Sequence, residues 1–238
     1  MNNKAYIYEI FDSIQGEGIY QGLRQVFIRF SGCNLRCKFC DTSYALEKPK
    51  TCKVFNNREI INPIIIEELE CIIDEKKNSF HSLALTGGEP LLQSKFIKAF
   101  LSKRRNFKIY LETNGILYKE LEKVIDYIDI ISMDIKIHSF LGQRLFKEEH
   151  KEFLKIANNK DLFVKIVITD DTTLDEVKEA AGLIESINKN IPLILQPVSS
   201  LIGKYDSFCK FLEFQEKLAE MLNEVRIIPQ IHKILKIR

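Results

Sequence analysis

The chain has 238 residues, of which 45% are hydrophobic, enough to bury the core of one α/β domain. Its formal net charge is +2 and its lysines and arginines are dispersed, so nothing requires a nucleic-acid partner. No apolar stretch of about 18 residues and no signal-peptide pattern is present, so we expect no membrane span and a cytoplasmic protein with reduced thiols.

Apolar residues recur along the chain with the periods of strands and helices in alternation. A short strand is predicted at residues 5–10, and the polar, glycine-containing turn Asp12–Gly18 (DSIQGEG) follows it. Six further segments are short and mostly apolar, which predicts buried strands. These predicted strands are Val26–Phe30, Ser82–Leu85, Lys108–Glu112, Asp129–Lys136, Leu162–Thr169 and Ile191–Gln196.

Amphipathic helices are predicted between these strands. Thr172 or Thr173 is expected to cap one of them, with Glu176 completing a capping box. By contrast, Ala45–Asn57 is polar and irregular and is predicted to be a surface excursion, whereas Glu224–Pro229 is a last strand-like run. The predicted helices are Pro63–Glu75, Phe96–Leu101, Leu117–Tyr127, His150–Ala157, Leu174–Ile187 and Ser207–Leu222.

The alternation predicts βαβ units and a mostly parallel sheet within one domain, residues 1–238. Six such strands are too few for a closed eight-stranded barrel, so the predicted fold class is α/β with a partial (β/α)6-type barrel. Active sites of such barrels lie at the carboxyl ends of the strands. The motifs SGCNLRCKFCDT, TGGEP, ETNG, SxDxK and QP each follow a predicted strand. We therefore expect the functional site at this end of the sheet.

Cys33, Cys37 and Cys40 form a C-x3-C-x2-C loop directly after a predicted strand. Soft thiolate ligands suit iron–sulfur clusters and zinc. Three thiolates can hold three irons of a four-iron cluster, which leaves the fourth iron open to a small molecule. A structural zinc site would need a fourth ligand, for which Cys52 is the candidate. The scattered spacing of the cysteines also argues against a secreted disulfide framework. The sequence therefore favours a cluster.

The cysteine spacing, the aromatic residue before the last cysteine and the Gly-Gly-Glu sequence of TGGEP resemble the radical S-adenosylmethionine (SAM) superfamily. This resemblance implies a 4Fe–4S cluster whose open iron binds SAM, and an electron that cleaves SAM to a 5′-deoxyadenosyl radical. A plain glycine turn and solvated side chains at strand ends are the alternative interpretations. The residues that the resemblance assigns to cofactor binding are Phe39, Asp41, Gly87, Gly88, Glu89, Asn114, Ser132, Asp134, Lys136 and Gln196.

Within that superfamily, the chain resembles the 7-carboxy-7-deazaguanine synthase family of 7-deazapurine (queuosine) metabolism over essentially its whole length. The matching segments are Phe11–Gly18, Phe27–Arg29, Gly32–Cys37, Cys40–Thr42, Thr86–Leu91, Glu112–Gly115 and Pro229–Lys233. The resemblance implies 6-carboxy-5,6,7,8-tetrahydropterin as substrate, with hydrogen-atom abstraction at C6, ring contraction, loss of ammonia and regeneration of SAM. It also implies a flavodoxin-type electron donor and a homodimer.

The same resemblance implies the residues that contact substrate, which are Ile14, Gln15, Gly16, Glu17, Arg29, Thr86 and His232. The first four would read the edge of the ring, Arg29 would meet the carboxylate, and His232 would close over the substrate. Thr42 resembles the family's Mg2+ position, where oxygen ligands suit a hard cation. An outward-facing Arg29, a helix N-cap at Thr42 and a surface-exposed His232 are the alternative interpretations.

Two positions near the predicted pocket depart from the family pattern. Ile116 stands where many relatives have Thr after ETNG, and His138 stands where a Pro often occurs. The stretch Ala45–Asn62 also lengthens the chain. Substrate identity is therefore the least constrained prediction. The alternatives are a radical SAM lyase acting on another 7-deazapurine such as queuine, a glycyl-radical-enzyme activase and a zinc-binding interaction module.

Overall fold

The computed structural model describes residues 3–38, 40–76, 79–103, 106–142 and 145–237. Strands within these residues are β1 (Lys4–Ala5), β2 (Ile7–Ile14), β3 (Arg24–Phe30), β4 (Thr51–Val54), β5 (Arg58–Ile61), β6 (Ile64–Ile65), β7 (Ser82–Gly87), β8 (Lys108–Thr113), β9 (Ile130–Asp134), β10 (Asp161–Ile168), β11 (Leu193–Pro197) and β12 (Val225–Ile227). The α-helices are α1 (Ile66–Asp74), α2 (Ser94–Leu101), α3 (Tyr118–Leu121), α4 (His138–Leu141), α5 (Lys147–Ala157), α6 (Leu174–Glu185), α7 (Tyr205–Ala219) and α8 (Ile231–Ile234).

One large sheet has the strand order β12-β11-β10-β9-β8-β7-β3-β2-β4-β5. Neighbouring strands from β12 across to β3 are parallel, β2 is antiparallel to β3, and β5 is antiparallel to β4. Within the described residues β12 and β5 are the two edges of this sheet, so the barrel is open. The predicted α/β partial barrel is confirmed, and β12 at the predicted run Glu224–Pro229 adds a further parallel strand.

The segment Ala45–Asn57 was expected to be irregular, and this prediction is wrong in its second half. Strand β4 pairs with β5 as an antiparallel hairpin and joins the sheet beside β2. Cys52 and Val54 alternate with more exposed residues and are buried in the core, which stabilises a strand. The hairpin therefore extends the large sheet on the side of β2.

The predicted helix Leu117–Tyr127 is also wrong in its length. It is divided into α3 and a 3-10 turn at Ile125–Tyr127. Leu121, Val124 and Ile128 are all buried, so two short turns satisfy the apolar period without one continuous helix. Elsewhere the predicted cap is confirmed: the Thr173 hydroxyl accepts a hydrogen bond from the Glu176 amide at the start of α6.

The sheet separates two apolar clusters. The larger cluster lies where helices cover one face of the sheet, and on β10 it takes Leu162, Val164 and Ile166. The smaller cluster lies on the other, concave face, where Phe163 of β10 packs with Tyr110. Because side chains alternate along a strand, Lys165 is directed to this concave face as well. The concave face thus carries a buried lysine in the carboxyl-terminal half of β10.

A membrane-spanning helix needs about 20 mostly apolar residues, and the longest helix of the described residues is α7, with 15 residues. None of the helices in this part of the chain is long and apolar enough to cross a membrane.

Candidate active site

A cavity of about 230 Å³ opens at the carboxyl ends of the parallel strands. Almost all of the residues predicted from the sequence to form the site line this cavity. They are Ile14, Gln15, Gly16, Glu17, Arg29, Cys33, Cys37, Cys40, Asp41, Thr42, Thr86, Gly87, Gly88, Asn114, Ser132, Asp134, Lys136, Gln196 and His232. Of the other two predicted residues, Glu89 is buried behind the wall and Phe39 lies outside the described residues.

The three cysteines of the loop share the cavity but are not arranged for a single metal ion. Among the described cysteines, no three sulfur atoms lie within 4.8 Å of one another. A tetrahedral zinc ion with bonds of about 2.3 Å would require sulfur separations of roughly 3.8 Å. Cys52, the candidate fourth zinc ligand, is buried in the larger core cluster instead. The donor set therefore fits a multi-iron cluster better than zinc.

Burial affects the protonation of two of these thiols, Cys33 and Cys37. It raises the pKa of Cys33 above its ordinary value and that of Cys37 to about 11. Cys33 and Cys37 are consequently protonated at neutral pH when no metal is bound, and binding of iron must displace their protons. The Cys40 sulfur lies 3.8 Å from the hydroxyl oxygen of Thr42.

The Gly87–Gly88 pair permits the strand end of β7 to touch the cysteine loop. Gly88 donates to the Phe30 carbonyl at 3.1 Å, and Glu89 donates to the Gly32 carbonyl at 2.8 Å. A Cβ on Gly88 would lie 2.1 Å from the Gly32 oxygen, and Gly87 has a φ of +139°. Side chains larger than hydrogen are excluded here by backbone contact.

Glu89 joins the two neighbouring loops from inside. Its carboxylate accepts hydrogen bonds from the Leu91 amide at 3.0 Å, the Thr113 hydroxyl at 2.9 Å and the Asn114 amide at 2.8 Å. Complete burial raises the pKa of Glu89 to about 7, although these donors act to lower it. Its observed contacts are structural, and its role toward a cofactor stays a prediction.

Polar side chains at the ends of β8, β9 and β11 form the wall next to the cysteines. Lys136 donates to Asp134 at 2.6 Å, and Asn114 donates to Asn34 of the cysteine loop at 2.8 Å. Within the described part of the chain, Oδ1 of Asp134 and Oε1 of Gln196 are buried without a hydrogen-bond partner. Buried polar atoms are normally paired, so this wall is suited to a polar ligand such as SAM.

The turn after β2 provides the opposite wall. The Gln15 side chain is buried and donates to Gln25 at 3.0 Å and to Glu112 at 2.9 Å, while its oxygen accepts from the Glu17 amide at 3.0 Å. Gln15 therefore shapes the turn with its side chain. Glu17 instead contacts Lys165 and accepts from Gln230 at 2.6 Å.

Burial alone would raise the pKa of Glu17, but Lys165, Gln230 and His232 together lower it to about 2. A hydrogen-bond acceptor that stays ionised thus faces the cavity. Such a group favours a ligand with N–H donors.

Arg29 is not on the outer face of its strand, which excludes the outward-facing interpretation. Its Nε donates to Glu9 at 2.9 Å, and its guanidinium lies 5.3 Å from the centre of the Phe11 ring. Thr86 is its register partner on β7. Arg29 also lines an adjoining cavity of about 390 Å³, so it stands between two spaces.

The carboxyl-terminal segment closes one side of the cavity. The Ile231 amide donates to the Gly16 carbonyl at 2.9 Å, and a Cβ on Gly16 would lie 2.0 Å from the His232 ring. One oxygen of Glu17, one of Asp41 and one ring nitrogen of His232 lie within 4.8 Å of each other. Burial lowers the pKa of His232, so its ring is mostly neutral at pH 7. His232 is half-buried against the turn and is not a fully exposed tail residue.

Sequence reasoning missed four polar residues that line the cavity, which are Glu112, Thr113, Lys165 and Gln230. Lys165 is a lysine in the middle of the apolar strand LFVKIVIT, and this interruption was the available signal. Glu112 and Thr113 lie in the ETNG motif and Gln230 in the segment Pro229–Lys233, but neither motif shows which partners these residues contact.

Three cysteines on one strand-end loop, with a Gly-Gly backbone packed against them in an open parallel barrel, define a radical SAM protein. The model of the radical SAM superfamily matches residues 27–184. Curated proteins similar to the whole chain extend this match. The chain is 40% identical to the 7-carboxy-7-deazaguanine synthase of Geobacter sulfurreducens, with 97% of each chain covered. It is 37% identical to that of Archaeoglobus fulgidus, over 99% of this chain and 100% of the relative. The chain belongs to the 7-carboxy-7-deazaguanine synthase family.

Solved structures agree on the fold. QueE from Escherichia coli superimposes with a TM-score of 0.61 at 19% identity and covers 95% of this chain and 94% of its own. Streptococcus suis SuiB, bound to S-adenosylmethionine, superimposes with a TM-score of 0.53 at 15% identity. That match covers 85% of this chain and 48% of SuiB. Both likenesses support the partial-barrel architecture.

Proposed function

We propose that this chain is a 7-carboxy-7-deazaguanine synthase, a carbon–nitrogen lyase that converts 6-carboxy-5,6,7,8-tetrahydropterin to 7-carboxy-7-deazaguanine and ammonia. One observation carries the proposal: a single cavity brings the turn Ile14–Glu17 and Arg29 to the same space as the three cysteines. A generic radical SAM protein needs the cysteines but not this turn. Near-complete coverage by relatives that carry this name supports the same conclusion.

We propose that Cys33, Cys37 and Cys40 hold a 4Fe–4S cluster and that the polar wall beside them holds SAM. When bound, these cofactors supply the 5′-deoxyadenosyl radical that starts the reaction. Gly87 and Gly88 keep the wall close to the cysteine loop, and the unpartnered oxygens of Asp134 and Gln196 are available to SAM donors. Asn114, Ser132 and Lys136 complete this wall, next to Asp41 of the cysteine loop.

The substrate is proposed to lie between the turn and Arg29. The guanidinium can bind the substrate carboxylate, because it is fixed in place by Glu9 and by the Phe11 ring. The Glu17 carboxylate and the backbone groups of Ile14 and Gly16 would form hydrogen bonds with the edge of the substrate ring. Buried polar groups of this kind discriminate against analogues that leave them unpaired. Thr86, beside Arg29, and His232, from the tail, would contact the remaining faces.

We also propose a Mg2+ ion between Thr42 and the substrate carboxylate. Thr42 and Arg29 line the same two cavities, which supports a Mg2+ site beside the expected carboxylate. Mg2+ prefers oxygen ligands and keeps several waters, which suits a site that would offer one protein hydroxyl and one substrate carboxylate.

The proposal extends to the cellular setting. We propose a single-domain, cytoplasmic enzyme that works as a homodimer and takes electrons from a flavodoxin-type donor. Reduced cytoplasmic thiols support assembly of the cluster. The dimer and the donor rest on the family resemblance alone.

Anaerobic turnover tests the proposed function. The iron-reconstituted protein is given SAM and reductant with either 6-carboxy-5,6,7,8-tetrahydropterin or queuine, and products are identified by mass spectrometry. We expect 7-carboxy-7-deazaguanine from the pterin and no change in queuine. Fragmentation of queuine with an inert pterin would assign the chain to a salvage lyase instead.

A further inference from the structure

Lys165 is a buried ammonium in the cavity wall to which neither the proposed chemistry nor the family resemblance above gives a role. It lies on β10, where its neighbours Val164 and Ile166 pack into the larger core while Lys165 faces the cavity. Only 8% of the residue is exposed. Placing a charged ammonium at such a position is unfavourable unless it is paired, so its partners should explain its presence.

The partners of Lys165 come from both walls of the cavity. Its Nζ contacts the Glu17 carboxylate of the turn and lies 3.4 Å from Oδ2 of Asp134. Asp134 is its register partner on β9, so the parallel strands hold these two residues side by side. The same Oδ2 accepts from Lys136 at 2.6 Å. Glu17, Lys165, Asp134 and Lys136 therefore form a continuous series of alternating charges.

Other groups also face this series. The Glu112 carboxylate of β8 attracts the Lys165 ammonium electrostatically, and the Tyr110 side chain of the same strand lies near that ammonium. Gln230 donates to Glu17, while His232 and Asp41 lie close to the Glu17 carboxylate. Lys165 interacts with three carboxylates, those of Glu17, Asp134 and Glu112, whereas Lys136 pairs with Asp134 and the Arg29 guanidinium also interacts with Glu112. Loss of Lys165 would thus remove the cation that Glu17 contacts, while the Asp41 carboxylate stays close to Glu17.

We propose that Lys165 is a positioning residue that holds Glu17 as an ionised acceptor facing the cavity and links it to Asp134 on the SAM wall. The inference rests on the proposed function, and it deepens that function by naming the residue behind the ring-edge selectivity. A fixed carboxylate selects heterocycles whose edge presents ring N–H and exocyclic NH2 donors. A ligand with an acceptor edge would leave Glu17 unpaired and is rejected.

Binding is measured with the cluster-loaded, full-length protein and SAM in the absence of reductant, so that no turnover occurs. The ligand is 6-carboxy-5,6,7,8-tetrahydropterin, followed anaerobically by calorimetry between pH 5 and 8. Lys165→Met removes the ammonium and keeps the length of the side chain. Lys165→Arg keeps a positive charge at this position. Glu17→Gln and the double variant Glu17→Gln/Lys165→Met complete a double-mutant cycle with wild type and Lys165→Met.

Lys165→Met is expected to weaken binding at pH 7 by about tenfold or more, since a charge-assisted hydrogen bond loses its fixed acceptor. Without the ammonium, burial raises the pKa of Glu17, so affinity should fall further as the pH is lowered. Wild type and the double variant should not show this additional loss of affinity as the pH is lowered. Lys165→Arg should restore part of the affinity. In the Glu17→Gln background, Lys165→Met should cost less than about threefold.

Equal losses from Lys165→Met in both backgrounds, with no change of pH profile, would overturn the inference and leave the proposed function intact. A wild-type protein that does not bind the pterin at all overturns both. Melting temperatures accompany each variant. If Lys165→Met does not fold, Glu17→Gln is compared with the double variant instead. Neither of these proteins has a charged residue 17, so Lys165→Met should have little effect on affinity in this pair if Lys165 acts through Glu17. A further tenfold loss in that pair contradicts a role through Glu17.

Discussion

Two glutamates of the site, the partly buried Glu17 and the fully buried Glu89, have opposite electrostatic surroundings. Glu17 lies against an ammonium, and its pKa falls to about 2, whereas Glu89 has uncharged donors around it and its pKa rises to about 7. Desolvation opposes the charged form in both cases. Only Glu17 has a close cation that outweighs this cost, so the two residues suit different tasks: one presents an anion to ligand, and the other organises loops.

The raised pKa of Glu89 predicts a pH-dependent stability. Glu89 takes up a proton on folding between its ordinary value of 4.5 and about 7. Its contribution is therefore full below pH 4.5 and is lost as the pH rises through 7. Glu89→Gln removes this titration. We expect the difference in free energy of unfolding, wild type minus variant, to fall by on the order of 3 kcal/mol from pH 4.5 to 8.

Denaturant unfolding of the cluster-free protein at several pH values measures this difference. The other titrating groups contribute equally to both proteins and cancel. A difference that stays constant over this range would show that Glu89 does not change its protonation on folding.

Arg29→Ala should weaken binding of the pterin by roughly tenfold to a hundredfold, the range of charge-assisted hydrogen bonds, and change SAM affinity less than about twofold. Glu9→Gln is the matched control, because it alters the partner of Arg29 and leaves the guanidinium in the cavity. Calorimetry with each ligand separates the two effects. Equal losses for both ligands would make Arg29 a structural residue.

At the scale of elements, the site depends on loops that pack through their backbones. The end of β7 rests on the cysteine loop through Gly88, and the turn after β2 rests on α8 through Gly16. Neither contact has room for a side chain. The first contact holds the end of β7 against the cysteine loop, and the second holds α8 against the turn after β2.

Gly88→Ala should disrupt assembly of the cluster, since its Cβ would lie 2.1 Å from the Gly32 carbonyl oxygen. We expect less than about half of the wild-type iron content after reconstitution, with absorbance near 400 nm reduced in proportion, because backbone atoms cannot yield as a flexible side chain can. Gly182→Ala in α6 is the control: its Cβ would have 3.8 Å to the nearest atom, and alanine favours a helix. Full iron loading of Gly88→Ala would contradict the packing argument.

Ending the chain after Gln230 removes α8 and should affect binding more than stability. Ile234 and Leu235 are about half exposed, at 53% and 52%, so little apolar burial is lost. We expect the KM for the pterin to rise about tenfold, because His232 no longer covers the turn. Iron content should stay unchanged. A large fall in melting temperature without a change in KM would make α8 a structural element only.

Sequence periodicity predicted the parallel strands, most helices and the edge of the sheet at which the site lies. Prediction failed where a contact joins distant segments. The hairpin of β4 and β5 depends on burial of Cys52 beside β2, which a polar local sequence conceals. Lys165 and Glu17 are separated by 148 positions, so no local pattern indicates their pairing. Glu89 lies in a recognised motif, but its carboxylate is directed into the protein.

At the scale of the whole molecule, the cavity takes residues from Phe11 to His232, almost the full length of the chain. One continuous sheet carries the cysteine loop, the polar strand ends and the turn after β2. The site residues are thus spread over the same length of chain as the similarity to relatives.

The most direct measurement is the stoichiometry of anaerobic turnover with 6-carboxy-5,6,7,8-tetrahydropterin. The cluster-loaded protein is given SAM and reductant, and 7-carboxy-7-deazaguanine, ammonium and remaining SAM are quantified together. We predict equal amounts of 7-carboxy-7-deazaguanine and ammonium, more than one of each per SAM consumed, and neither product from the Cys37→Ala variant. Consumption of SAM without either product, or the same yield from Cys37→Ala, would contradict a synthase built on the three-cysteine loop.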